Sequence, residues 1–245
     1  MKQLVIGLMG AILVCMGMVT GAAAETAEEW VEKGEEYAET GDWNKAIEST
    51  IMAVVFEPNN EYAHGNLGWY YTEVGDYEKA LEHCDTAIRI DRDLAYAYDN
   101  RGNVYGALGR FDEAVAEHTK AIELDPAFAL AYNNRGWEYY LMGEYTRALE
   151  DVEKAIALAD ADDAYVLSLS LDSRANIYRE LGQYDEAMAD IERAIAVKPD
   201  YSWAYHTRGL IYEALGEVEK AKADFAYACE NGADEACDAL DGMGE

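Results

Sequence analysis

The sequence predicts an all-α chain, an α-solenoid of six helix–turn–helix units closed by a short C-terminal capping helix. Three observations carry this. Glycines recur every 34 residues, at Gly34, Gly68, Gly102 and Gly136, and each is followed seven residues later by a second: Gly41, Gly75, Gly109 and Gly143. Between and after them a tyrosine, an aromatic and two alanines hold fixed offsets. The three prolines, Pro58, Pro126 and Pro199, each stand 24 residues after the first glycine or its substitute. A fixed period of this length is the mark of one supersecondary unit stacked on the next.

Taken in order, the chain begins with "MKQLVIGLMGAILVCMGMVTGAAAE". One lysine, an apolar run and the Ala22-x-Ala24 site predict a secretory signal peptide over 1–24, cleaved to leave Glu25 first. The alternative is an uncleaved membrane anchor, since the run approaches spanning length. Val14 stands before Cys15, where lipoprotein signals carry a small residue, which argues against lipidation.

Units 27–60, 61–94, 95–128 and 129–162 follow, the first four of an array over 25–228. In each, the first glycine lies inside a helix, where it costs about 1 kcal/mol against alanine. Such a glycine needs a packing reason, and close approach of a neighbouring helix supplies one. Tyr37, Tyr71, Tyr105 and Tyr139 come three residues on and fill the spaces between helices. The second glycine precedes a polar residue, an aromatic (Trp43, Tyr77, Phe111, Tyr145) and a new apolar stripe, so it marks a helix end and a turn. Ala46, Ala80, Ala114 and Ala148, then Ala53, Ala87, Ala121 and Ala155, are the small surfaces of the second helix. After five extra residues within "DADDAYVLSL" (160–169) the fifth unit, 168–201, has Ala175 for the first glycine, then Tyr178, Gly182, Tyr184, Ala187 and Ala194. The sixth, 202–232, has Gly209, Tyr212, Gly216, Ala221 and Ala228. Residues 233–245 form a cap and tail.

This pattern resembles the tetratricopeptide repeat, from residue 27 to about 228, and "NNRG" at 133–136 is similar to a common bacterial variant. Ala175, Arg92 and Asp160 depart from the family's glycine and proline places. The five inserted residues interrupt the regular superhelix between the fourth and fifth copies. The resemblance implies that first helices line a concave groove, with facing positions at −6, −3, +1 and +4 from the first glycine. Those positions, with the asparagines two residues before the glycine on the groove's edge, give the candidate peptide-binding residues Tyr62, Asn66, Trp69, Tyr96, Asn100, Asn103, Asn133, Asn134, Trp137, Tyr140, Asn176 and Arg179. Leu169, Asp172, Trp203, His206 and Leu210 continue the same stripe. Aromatics bury much area at small entropic cost, and asparagine offers donor and acceptor to an extended backbone. Trp69, Asn103, Asn133 and Trp137 are its expected centre. The alternative is that the aromatics only pack between repeats. The groove lacks the basic cluster of the carboxylate-clamp mode.

"ACENGADEAC" (228–237) sets Cys229 and Cys237 about a glycine turn, and a similar spacing occurs in the related Sel1-like repeats. Export would favour a disulfide there, stapling the cap; two free thiols are the alternative. Cys84 is expected to pack as a small apolar group.

No catalytic constellation, cofactor motif or metal-ligand spacing is present: His64, His83, His118 and His206 fall at scattered places. The chain is therefore read as a non-enzyme without cofactor. Arg101, Arg135, Arg174 and Arg208 precede the small residue in four copies. Arg135, Arg174 and Arg208 are expected to pair with Glu117, Asp151 and Asp190 of the preceding copies. The formal net charge of −30 repels nucleic acid and anionic lipid and suits a basic partner, though it also solubilises. The expectation is a periplasmic or secreted scaffold that binds a protein or peptide and meets a membrane only through an uncleaved signal or its partner. Two rivals are a small-ligand carrier and an accessory subunit docked by its convex face on a membrane complex.

Overall fold

In the computed structural model residues 25–159 and 163–243 are described; the leader lies outside them. Among these residues are thirteen helices and no strand. They pair as α1 (Ala27–Glu39) with α2 (Trp43–Phe56), α3 (Glu61–Glu73) with α4 (Tyr77–Ile90), and α5 (Ala95–Ala107) with α6 (Phe111–Leu124). Then come α7 (Ala129–Leu141) with α8 (Tyr145–Leu158), α9 (Ala164–Glu180) with α10 (Tyr184–Val197), and α11 (Ser202–Ala214) with α12 (Val218–Glu230). The cap is α13 (Asp234–Gly242). First helices touch one another across repeat boundaries, as α3 with α5 and α9 with α7 and α11, whereas second helices barely do. The layer whose members meet is the inside of a curve, so the first helices form the concave face.

The two glycines of the fourth repeat show how local chemistry sets the unit. Gly143 has φ +76°, with no side chain near enough to exclude a larger residue; the left-handed backbone alone selects glycine. The turn closes by Glu144 N–H donating to the Tyr139 carbonyl at 2.8 Å and Gly143 N–H to that of Tyr140 at 2.9 Å, a Schellman motif. The same bond ends on the tyrosine carbonyl in every repeat. Gly136 answers to packing: a Cβ there would stand 2.7 Å from Val152 Cγ2 and 3.2 Å from the Ala148 carbonyl. The residue sixteen positions on fills the space a side chain would need, Cys84 against Gly68, His118 against Gly102 and Phe225 against Gly209. Both alanine series are fully buried in all six repeats. The prolines fall in the turns after α2, α6 and α10.

The arginines pair differently from the expectation. Arg135 binds Asp151 through Nε and Nη2, both at 2.7 Å, and Arg174–Asp190 and Arg208–Asp224 repeat this. Arg101 holds both oxygens of Glu117. Each partner sits in the arginine's own repeat, sixteen residues on, and not in the preceding one. Across the boundary Arg101 also reaches Asp85 at 2.7 Å, and Arg135 the Thr119 hydroxyl at 3.0 Å. The fork geometry of guanidinium and carboxylate fixes how the first helix sits on the second.

The inserted segment lengthens a helix. First helices are 13 residues long, but α9 has 17 and starts at Ala164, four residues before the unit boundary at 168. Asp163 caps it, accepting from Val166 N–H at 3.0 Å. The extra turn stands up at the edge of the concave face. At the other end Cys229 and Cys237 form a disulfide, with Cα atoms 4.9 Å apart, and Cys84 is free and buried. The staple holds α13, whose Ala236 packs with Ala233, Phe225 and Ala228. Among the described residues no helix is long and apolar enough to cross a membrane.

Candidate functional site

The concave face is not uniform. Across repeats four to six, α7, α9 and α11 surround a cleft of about 580 Å³. Its walls are aromatic: Trp137 and Tyr140 from α7, with ring centroids 4.8 Å apart, Tyr165 from the extra turn of α9, and Tyr201 and Trp203 from the start of α11. Tyr165 is 52% exposed and Trp203 36%, so both stand at the rim. The floor is polar, with Asn133, Asn134, Asp172, Ser173, Asn176, Arg179, His206 and Thr207. Asn176 is spent on structure, donating to the Asp172 carbonyl and the Thr207 hydroxyl, each at 3.1 Å. Three buried floor atoms have no partner: Asn133 Oδ1, Asp172 Oδ1 and Arg179 Nε. Arg179 is ion-paired with Glu180 at 2.8 Å. Burial pushes the Asp172 carboxyl up to about 7, tempered by the Thr207 hydroxyl and by Arg179.

Of the twelve candidate residues, Asn133, Asn134, Trp137, Tyr140, Asn176 and Arg179 meet in this cleft. The others do not. Asn66 Nδ2 donates to Glu35 Oε1 at 2.9 Å and its oxygen accepts from Tyr96 Oη, also at 2.9 Å. Asn100 Nδ2 donates to the Gly65 carbonyl at 3.0 Å. Even Asn134 spends its amide one repeat back, on Asp99 Oδ2 at 3.0 Å. These asparagines bolt each first helix to the one before and leave no free ladder at the groove's edge. Tyr96 is part of that bolting, its ring lying where Gly65 lacks a side chain. Trp69 packs against Trp43 and Tyr70 and donates to Glu73 Oε1 at 3.1 Å. Asn103 does not line this cleft, and Tyr62 lines a separate, shallower one with Val31 and Glu35. The cleft therefore lies one to two repeats beyond Trp69 and Asn103 and includes Asn133 and Trp137 of the expected centre. Tyr165, Tyr201, Ser173, Thr207 and Leu141 escaped the sequence reading. The five extra residues were the signal for Tyr165.

Three of the four histidines are structural. His118, fully buried, meets Asp99 Oδ1 through Nδ1 at 2.7 Å. His64 and His83 share a contact between their Nδ1 atoms at 2.9 Å, and burial takes His83 down to about 4. Nearby, Glu138 fills the space beside Gly106, and burial pushes its carboxyl up to about 7, against the pull of His118. Among the described residues no group of three or more His, Cys, Asp or Glu side chains could hold a metal ion.

A curved stack of antiparallel helix pairs, with its first helices inside and a turn glycine in every unit, defines a helical-repeat protein. Models of the tetratricopeptide repeat match residues 62–127, 129–161, 175–216 and 204–230, and the chain belongs to that family. No curated protein matches the sequence. Among solved structures it is similar to a chain of the APC/C hetero-tetramer Cut9-Hcn1, at TM-score 0.72 and 17% identity, over 90% of this chain and 43% of that one. The chain thus spans less than half of that relative's length. It is also similar to TTC0263, a TPR protein of Thermus thermophilus, at TM-score 0.66 and 22% identity, covering 78% and 99% of the two chains. The type IV pilus biogenesis factor PilW aligns at TM-score 0.65 and 22% identity, over 85% and 94%. At these identities the shared feature is the fold.

Proposed function

We propose that this chain is an exported scaffold that holds an extended segment of another protein in the cleft of its last three repeats, and that it catalyses no reaction. The observation that carries the reading is the cleft itself: aromatic walls over a polar floor with unmet hydrogen-bonding atoms, built by three successive first helices. Aromatic anchors in a desolvated pocket are what partner binding draws its energy from. Export rests on the leader's lysine, apolar run and alanine site, and mass spectrometry of the processed chain is expected to start at Glu25; a full-length, membrane-bound product contradicts it.

A photo-crosslinking phenylalanine in place of Tyr165, and separately of Tyr62, tests the cleft in envelope extract. The scaffold reading expects a protein adduct from position 165, lost when Trp137→Ala is added. Adducts from position 62 alone, or from 165 regardless of Trp137, oppose it. A second reading, a small-ligand carrier, is favoured by one feature: about 580 Å³ lies within the range of small-molecule pockets. Gentle native mass spectrometry of the purified chain separates the two, since a carrier retains a small ligand.

A further inference from the structure

We propose that the cleft takes the side chain of a lysine or arginine of the bound segment, with the Asp172 carboxylate as its counter-charge and Trp137, Tyr140 and Trp203 as its walls. This rests on the scaffold reading and adds to it the chemistry of the occupant.

Repeat position supplies the first argument. Asp99 and Asp172 both stand three residues before the small residue of their repeats. Asp99 is held by His118 and Asn134. At the equivalent places around Asp172 the chain has Ile191 and Thr207, and Thr207 accepts from Asn176. The carboxylate is present and buried to 8% exposure, but the histidine that pairs with it in the other repeat is replaced by Ile191, the Thr207 hydroxyl is the remaining polar neighbour of these two, and Oδ1 has no partner. Its Oδ1 and the Asn133 oxygen are both acceptors, so the occupant must bring donors. A lysine ammonium has three and an arginine guanidinium five, and both gain from aromatic faces.

Charge supplies the second. The chain carries −30 overall, which draws cations to any concave surface. Arg179 also acts on Asp172, but it shares its charge with Glu180 at 2.8 Å. Its unmet Nε–H is placed to donate to a carbonyl of the bound backbone.

Asp172 also gives the site a pH response. Its carboxyl, pushed to about 7, loses its proton when a cation docks, so affinity rises from pH 6 to pH 8. The other titratable or charged groups lining the cleft are Arg179, His206, Tyr140, Tyr165 and Tyr201. Burial holds His206 below its ordinary value and raises the three tyrosines, so these shifts point away from that window.

The test uses the full chain with its tryptophan indoles labelled with ¹⁵N. The probes are the peptide acetyl-Ser-Ala-Ala-Lys-Ala-Ala-Ser-amide and its versions with norleucine or glutamate for lysine. The lysine peptide is expected to shift the Trp137 and Trp203 signals, leave Trp69 in place, and bind at least about tenfold more tightly than the norleucine peptide. Asp172→Asn, which keeps the volume and the neutral form, is expected to remove most of that preference and the rise between pH 6 and 8. Trp203→Ala at the rim weakens binding while leaving Asp172 and Asn133 in place. If norleucine binds as well as lysine, the basic side chain is wrong and the scaffold reading stands. A lysine preference that survives Asp172→Asn overturns the role of Asp172. If no peptide moves Trp137 or Trp203, both readings fall.

Discussion

Repeats two to four and repeats four to six present the same positions to the concave face and use them differently. In the first set the asparagines and Asp99 are spent on neighbouring repeats: Asn66 on Glu35 and Tyr96, Asn100 on the Gly65 carbonyl, Asp99 on His118 and Asn134. In the second, Asn133, Asp172 and Arg179 keep unmet atoms over a cleft whose rim the extra turn of α9 supplies. A buried polar group without a partner costs stability, about 1–3 kcal/mol each. Unmet buried atoms occur in the first set too, at Tyr70 Oη, Arg101 Nε, His118 Nε2 and Glu138 Oε2, so what sets the second apart is that these three unmet atoms belong to residues lining one aromatic cleft.

The sharpest way to break this contrast is to make the same substitution at both aspartates. Asp99→Asn leaves His118 and Asn134 facing an altered partner in the core and is expected to cost about 2–4 kcal/mol in urea unfolding. Asp172→Asn replaces a carboxyl that is already half neutral at pH 7, and is expected to leave stability unchanged or raise it. Equal losses at the two sites would mean that Asp172 is as structural as Asp99.

Removing the staple is expected to have a comparable but local effect. Cys229→Ser with Cys237→Ser should lower stability by about 2–3 kcal/mol, the loss of a short closed loop. Hydrogen exchange should place the loosening in α12 and α13, with α3 to α6 unaffected. An unchanged exchange pattern would show that the cap packs without the disulfide.

An effect on the order of 3 kcal/mol, appearing only as pH rises, is expected from Glu138. Its carboxyl is raised from an ordinary 4.5 to about 7 in the fold, so the folded chain keeps a proton that the unfolded chain releases in between. Its contribution to stability is therefore full below about pH 4.5 and lost as pH climbs to about 7. Glu138→Gln should unfold like the parent chain at pH 4.5 and be more stable at pH 8. A parent and variant that run parallel across this range would contradict the assignment.

The repeat frame was legible from spacing alone, because each offset serves one backbone or packing need. Gly143 needs positive φ, Gly136 has no room for a Cβ, and the alanine series lie fully buried. The division of the concave face was not legible. Whether an asparagine is free depends on what stands 35 residues earlier, as with Asn100 and the Gly65 carbonyl, and offset patterns within one repeat do not carry that information. The arginine pairs were misassigned for a related reason: Glu117 lies near two arginine positions in sequence logic, and only helix geometry gives it to Arg101. The five extra residues read as a disturbance, yet they lengthen α9 and place Tyr165 at the cleft.

The central claim is that binding belongs to the last three repeats while the matching surface further back is structural. The most direct test compares Trp137→Ala, Trp203→Ala and Trp69→Ala for affinity toward the segment crosslinked at position 165, beside the thermal midpoint of each. Loss of about 2 kcal/mol, roughly thirtyfold, is predicted for Trp137→Ala with little change in midpoint, a smaller loss for Trp203→Ala, and unchanged affinity with a lowered midpoint for Trp69→Ala. Affinity lost at Trp69 and kept at Trp137 and Trp203 would contradict the account.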